Sequence, residues 1–325
     1  MNSRERFVGV ARGEPVDRVP YLEEAIRREV LRRWYREGLD KHINEDNYID
    51  FFGLDRYEYI YLWLEPKAGR LETKENFERL KKHYQDHPPE FRREQFWRKQ
   101  AKRYSGRDFP LGVLGWRGFM LPIFTYEKEW DSLVQVLLNL HDHPDWMLDV
   151  LEFISDYYIE TLRLAFQHLK FDFGIISEPI ASPVGPIISP EMFEKFILPS
   201  YRKILKFFHE NNVEIVIFRS ISNVAVLLPS IIESGIDGIW IHQIANTPID
   251  YTAIGQKYPN LLLIGGIDST ALMKDVRAIE AELKRKVPRL LERGWFIPML
   301  DDNPRENIPY QNYLFYRKLL MEMCE

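Results

Sequence analysis

The chain has 325 residues, 45% of them apolar, 29% charged and 14% aromatic, which suits one large α/β barrel or two ordinary domains and excludes disorder. Forty-nine acids against 44 bases leave a net charge of -5, and the single cysteine is Cys324; nucleic-acid binding by bulk charge, a disulfide framework and a cysteine-based zinc finger are all excluded. No apolar h-region follows MNSRERF and no apolar stretch is long enough to span a membrane, so the expected class is a cytoplasmic globular enzyme with no membrane or nucleic-acid partner.

In chain order, eight apolar, β-prone runs follow turn signals and end in polar residues: 19–24, 57–65, 110–117, 171–178, 213–220, 235–242, 261–268 and 294–302. Between them, 145–170, 190–211, 224–234 and 275–293 carry helical period, with Ser189 placed as an N-cap ahead of Pro190. From residue 171 onward strand and helix alternate, which implies a parallel sheet. The eight runs predict a single (β/α)8 TIM barrel over residues 1–325, with a doubly wound open sheet as the alternative. Segment 65–104 breaks the rhythm with 12 Lys/Arg against 7 Asp/Glu and interspersed aromatics. It reads as an amphipathic, charged helical excursion between the second and third strands, or else as a lid or docking surface.

A barrel places its chemistry at the C-terminal ends of its strands. Those ends supply Glu23 and Glu24; Glu65; Trp116 and Arg117; Ser177 and Glu178; Arg219 and Ser220; His242 and Gln243; Asp268; and Asp301 with Asp302. So many ionisable groups beside aliphatic strands must pair with each other or bind something. Glu178, Arg219, His242, Asp268 and Asp301 are therefore the candidate catalytic set, expected to converge at one mouth. Glu23, Glu24, Trp116, Arg117 and Ser220 are candidates for substrate contact. Plainer readings stay open: Asp268 as an N-cap, Asp301 and Asp302 as turn caps before Asn303-Pro304, His242 as a core histidine. Arg219 is harder to explain that way, because a guanidinium keeps its proton and needs an anion. The chain has no GxGxxG after a strand, no P-loop, no HExxH and no GxSxG.

Several stretches, in order along the whole chain, resemble the uroporphyrinogen decarboxylase superfamily. They are Arg4-Glu5-Arg6-Phe7 through Gly13-Glu14-Pro15-Val16-Asp17-Arg18-Val19-Pro20, then Gly185-Pro186-Ile187-Ile188-Ser189-Pro190-Glu191-Met192-Phe193 with Pro199 and Tyr201. The GGID that ends at Asp268 and Pro309-Tyr310-Gln311-Asn312-Tyr313 complete the set. The resemblance implies a (β/α)8 barrel, a homodimer and one of two chemistries. One branch decarboxylates the acetate arms of uroporphyrinogen without a cofactor. The other moves methyl groups to or from corrinoid proteins or thiol carriers, usually with zinc.

The sequence departs from both patterns. Where the decarboxylases carry a Met-Arg-Gln-Ala-Gly-Arg stretch, this chain has Glu23-Glu24-Ala25-Ile26-Arg27-Arg28, a like-charge conflict for a substrate with eight carboxylates. Where the methyl-carrier branch has His-x-Cys-Gly-Asn, it has Arg219-Ser220-Ile221-Ser222-Asn223, so only Asn223 remains, as a further substrate-contact candidate. The third ligand, a cysteine, has no counterpart in 299–303. Three functions are expected in order of preference. The first is a substrate demethylase that passes a methyl group to a separate corrinoid protein, with Glu178, His242 and Asp301 as an oxygen–nitrogen site suited to zinc. The second is a divergent, cofactor-free decarboxylase in which Arg219 grips the departing carboxylate. The third is a non-catalytic binding barrel. The donor's identity is not encoded in any motif found.

Overall fold

A computed structural model of the chain describes residues 1–62, 73–118 and 129–325, the side chains of Arg117 and of residues 129–132 excepted. The strands are β1 (Glu58–Tyr61), β2 (Leu111–Arg117), β3 (Phe173–Ser177), β4 (Ala181–Ser182), β5 (Gly185–Pro186), β6 (Val216–Ile221), β7 (Gly238–His242), β8 (Leu262–Ile267) and β9 (Phe296–Leu300). β4 and β5 pair as a short antiparallel hairpin, and the other seven form one parallel sheet in the order β1-β2-β3-β6-β7-β8-β9. Helices Pro144–Phe166, Leu198–Glu210, Leu228–Glu233, Tyr251–Lys257 and Val276–Arg293 supply the crossovers from β2 onward, as parallel neighbours require.

The sheet is curled. Arg219 on β6 hydrogen-bonds Tyr59 on β1 at 2.7 Å, although three strand spacings would separate them by ~14 Å in a flat sheet. Tyr57, just ahead of β1, meets Trp240 on β7 with ring centroids 6.1 Å apart. Residues of one parity fill the interior: Leu114, Phe173, Ile175, Ile217, Trp240, Leu262, Ile264, Ile297 and Met299, with Phe7 and Val10 from helix Ser3–Arg12 packed against them. Residues of the other parity, such as Ile176, Phe218, Ile239 and Leu263, pack outward under the helices. The seven strands and their curl accord with a TIM-like barrel.

The expected first strand, 19–24, does not pair as one. Pro20 has no N–H to give a ladder, and Asp55 satisfies Tyr21 instead, accepting from its N–H through Oδ2 and donating its own N–H to the Tyr21 carbonyl. On the other side the Glu23 carboxylate, not its backbone, takes the N–H of Leu300 at 3.2 Å. The run therefore lies in the seam between β1 and β9 and closes it with side chains. Asp55 also accepts from Ser3, Arg6 and Arg18, which ties the motif-bearing N-terminal segment to the same seam.

Helices Lys74–Asp86 and Glu94–Arg103 lie between β1 and β2. Thr73 and Asn76 form a reciprocal cap at the first, and Phe77, Leu80, Tyr84, Phe91 and Trp97 are buried. Outward charges pair, as in Arg98–Glu94, Arg92–Glu160 and Arg103–Glu58. Glu65 lies outside the described residues.

Candidate active site

Interior parity on β6 and β7 brings Arg219, Trp240 and His242 to the C-terminal end of the curled sheet, opposite the tyrosines of β1. Arg219 is the centre. Its Nη2 donates to Glu24 Oε1 at 2.9 Å, its Nε to His242 Nε2 at 2.9 Å, and its Nη1 to the hydroxyls of Tyr59 at 2.7 Å and Tyr61 at 3.3 Å. Its guanidinium carbon lies 4.7 Å from the centre of the Trp240 ring, on which His242 also stacks. A cleft of about 720 Å³ opens over this group, lined among others by Glu23, Glu24, Tyr57, Tyr59, Tyr61 and Arg219. A larger hollow, about 850 Å³, lies at the opposite end beside Arg4, Arg12 and Asp172, away from the strand ends where barrels carry chemistry.

The electrostatics follow from burial. Desolvation opposes the charge of Arg219, but Glu24 and the two tyrosines outweigh it and raise its pKa. Burial, with Arg219 adding to it, pushes His242 down to about 3, so the imidazole is neutral. Since Arg219 Nε can only donate, His242 Nε2 accepts and the ring proton sits on Nδ1, 4.0 Å from Asp302 Oδ1. Burial raises Glu24, against the pull of Arg219 and with a push from Asp302. Burial also raises Tyr59, against Arg219, so its phenol keeps its proton while Arg219 donates to its oxygen.

The predicted set is thus split. Arg219, His242 and Glu24 come together at the mouth, and Glu23 stands in its floor. Glu178 follows β3 on the outward parity, fully buried, and its Oε2 accepts from Trp116 Nε1 at 3.0 Å and Tyr201 Oη at 3.1 Å. A bulge in β2 between Leu114 and Trp116 turns Trp116 outward as well, against Tyr158 and Tyr201 of the helix layer. Gly118, at φ +71°, lets Glu178 sit there, because a Cβ would stand 2.7 Å from its Oε1. Trp116 was expected at the mouth, and this bulge is what removes it.

Asp301 uses both oxygens on backbone N–H groups, those of Ser269 at 3.0 Å and Ile244 at 2.9 Å, and so ties together the loops after β7, β8 and β9. Asp302 is the acid that faces His242. Asp268 caps the turn Ser269–Met273 through Thr270. Ser220 donates to the Glu178 carbonyl at 2.5 Å, and Asn223 caps Ala225 while reaching the Pro183 carbonyl. Arg117 ends β2, and its side chain lies outside the described residues. The residues as arranged do not fit zinc. His242 Nε2 is engaged by a guanidinium, Glu178 lies in another layer, and among the described residues no three His, Cys, Asp or Glu side chains form a metal-ligand group.

Tyr57, Tyr59 and Tyr61 were missed as site residues. The signal was present in Tyr57-Glu58-Tyr59-Ile60-Tyr61, where the aromatics recur with the period of a strand and so share one face.

The family model described as Uroporphyrinogen decarboxylase (URO-D) matches residues 130–297. Proteins named uroporphyrinogen decarboxylase from Geobacter metallireducens and Geobacter sulfurreducens are 23% and 22% identical to the chain over 216 and 215 residues. Each match covers 65% of this chain and 59% of the relative's length. The family match includes Arg219 and His242 and stops short of Asp302; Glu24 and the β1 tyrosines precede it. No helix among the described residues is long and apolar enough to cross a membrane.

Proposed function

The chain belongs to the uroporphyrinogen decarboxylase family, and from that premise we propose that it is a small-molecule demethylase, which passes a methyl group from an aryl ether or a methylated amine to a corrinoid protein. The observation that carries this reading is the commitment of Arg219 to Glu24. A guanidinium placed to grip a substrate carboxylate would have to give up an internal ion pair with a buried glutamate, which costs heavily. Arg103, a more exposed arginine of the cleft, pairs with Glu58. With Glu24 and Glu58 of its walls spent on Arg219 and Arg103, the cleft offers a polycarboxylate little unpaired positive charge. The rings of Tyr48, Tyr57, Tyr59, Tyr61, Phe96 and Tyr104 suit a flat aromatic or a methylammonium group.

A corrinoid carried by the partner supplies the electron pair that takes the methyl group. The residues of this chain do the rest. The aromatic walls orient the donor. Tyr59, kept protonated by burial and polarised by Arg219, gives its proton to the leaving oxygen or nitrogen as that atom keeps the bonding pair. Glu24 and His242 fix the plane of the guanidinium, His242 as a neutral acceptor. A second reading, a divergent decarboxylase, is favoured by the names of the relatives and requires Glu24 to release Arg219.

The experiment offers the purified protein free cob(I)alamin with methoxyaromatic and methylamine donors, and in parallel offers it uroporphyrinogen. Methylcobalamin formation with one donor class and no release of carbon dioxide is expected. Uroporphyrinogen turnover at an ordinary enzymatic rate, on the order of 1 per second or more, overturns the proposal in favour of the second reading.

A further inference from the structure

Two tyrosines of the cleft are joined to each other as well as to Arg219. Tyr59 and Tyr61 alternate with Ile60 on β1 and so share one face, with hydroxyl oxygens 2.6 Å apart and ring centroids 4.8 Å apart. Tyr61 ends the strand at the rim and is 45% exposed, whereas Tyr59 lies one step deeper. Among the described residues the Tyr59 hydroxyl hydrogen-bonds two groups, Arg219 Nη1 at 2.7 Å and the Tyr61 hydroxyl.

Those two contacts govern where the protons lie. A phenol oxygen donates one proton and accepts through its lone pairs, and a guanidinium only donates. Arg219 therefore fills a lone pair of Tyr59. For Tyr59 to hold its own proton toward a substrate, the bond between the phenols must run from the Tyr61 O–H to Tyr59 Oη. After Tyr59 has given that proton up, Arg219 cannot replace it, because a guanidinium does not deprotonate. The Tyr61 hydroxyl is the remaining group in reach. Arg219 Nη1 also lies 3.3 Å from Tyr61 Oη, so a fixed positive charge stands beside both oxygens. Burial raises the pKa of Tyr59 against Arg219, and Glu24 and Tyr61 add to the rise. A proton shared between the two oxygens thus settles on the deeper one and leaves the negative charge on the exposed ring, where water solvates it.

We propose that Tyr61 relays protons from solvent to Tyr59. Once the Tyr59 hydroxyl has protonated the leaving atom, the Tyr61 proton passes to the Tyr59 phenolate, and Tyr61 takes a proton from water or a buffer acid. Both phenols end as they began, and one proton has crossed from solvent to product. The relay rests on Tyr59 as the acid and not on which bond breaks. The oxygen or nitrogen released by demethylation and the carbanion left by decarboxylation each take one proton.

The test follows the full chain through whichever product it forms, methylcobalamin or carbon dioxide. Tyr61→Phe keeps the ring and removes the relay, but leaves the proton already on Tyr59. One product per chain, then turnover at least about tenfold slower with KM held, is expected; Tyr59→Phe loses both phases. Tyr61→Ala opens a path to Tyr59, and imidazolium added at constant pH and ionic strength should raise its slow phase in proportion to concentration while leaving the parent unmoved. Neutron diffraction from crystals soaked in heavy water needs no turnover. It should place the Tyr61 deuteron on the line to Tyr59 Oη and the Tyr59 deuteron toward the cleft. Steady turnover of Tyr61→Phe at the parent rate, a slow phase that imidazolium does not raise, or a Tyr59 deuteron on the line to Tyr61 overturns the relay. The identity of the product bears on the demethylation reading alone.

Discussion

Arg219 makes its four contacts through three different nitrogens, and each contact asks for a planar fork rather than a point charge. Arg219→Lys keeps the charge opposite Glu24 but loses the bond to His242 and the stacking on Trp240, so methyl transfer should fall ~100-fold or more while the protein stays folded. Tyr59→Phe deletes the proposed proton donor, and the expected loss in kcat is again about 10²–10⁴, with substrate binding little changed. His242 separates two roles. With its pKa pushed down to about 3 by burial and then by Arg219, it stays neutral between pH 5 and 8, and the pH–rate profile should show no ionisation from it in that range. His242→Gln keeps an acceptor for Arg219 and a donor toward Asp302, so its activity should stay within about tenfold of the parent. A drop as large as that of a lost acid–base group, ~10²–10⁴, would show that the imidazole itself moves a proton. At this scale the sequence was readable where a residue near the C-terminal end of a strand is also interior, as at Arg219 on β6 and His242 at the end of β7. It misled at Glu178, which ends its run on the outward parity, and at Asp301, whose neighbour Asp302 is the one beside the imidazole.

The strands show why parity could not be read everywhere. Periods of two from Phe173 or Ile217 carry through β3 and β6 without interruption. In β2 the bulge adds one residue against β3, so Leu114 faces Ile175 while Trp116, not Gly115, faces Ile176. Gly115 fits there because a Cβ would lie 2.6 Å from Phe208. Nothing in Leu-Gly-Val-Leu-Gly-Trp-Arg announces that shift, and it reverses the direction of Trp116. The consequence is testable. Trp116→Phe withdraws one donor from the buried Glu178 carboxylate, and stability to urea should fall by ~1–3 kcal/mol, whereas KM for the methyl donor should hold. A raised KM with unchanged stability would return Trp116 to the cleft. The 19–24 run failed for a different reason: its alternation is apolar enough for a strand, but Pro20 and the appetite of Asp55 for donors remove the backbone groups that a ladder needs.

Closure of the whole molecule therefore depends on a side chain, and that side chain titrates. Glu23 holds the N–H of Leu300 across the seam, and burial raises its pKa from 4.5 to about 7, against Arg317, the N–H groups of Leu300 and Glu24, and Tyr316. Tyr313, Tyr48 and Tyr316 are the other titratable groups facing it. A folded-state pKa above the unfolded one means that the folded chain keeps a proton the unfolded chain releases. The stabilisation from Glu23 is whole below pH ~4.5 and disappears as pH rises through about 7. At ~1.4 kcal/mol per pKa unit the loss is at most ~3 kcal/mol. Glu23→Gln cannot ionise, yet its amide oxygen still accepts from Leu300. Other buried acids, Glu24 and Asp301 among them, are also raised, so the informative quantity is the difference between the two proteins. Urea unfolding at pH 5, 6, 7 and 8 should show Glu23→Gln gaining steadily on the parent, with most of the gain between pH 5 and 7. Two curves that run parallel across that range would mean that Glu23 is already ionised in the fold, and that the seam is held by a charge rather than by a proton.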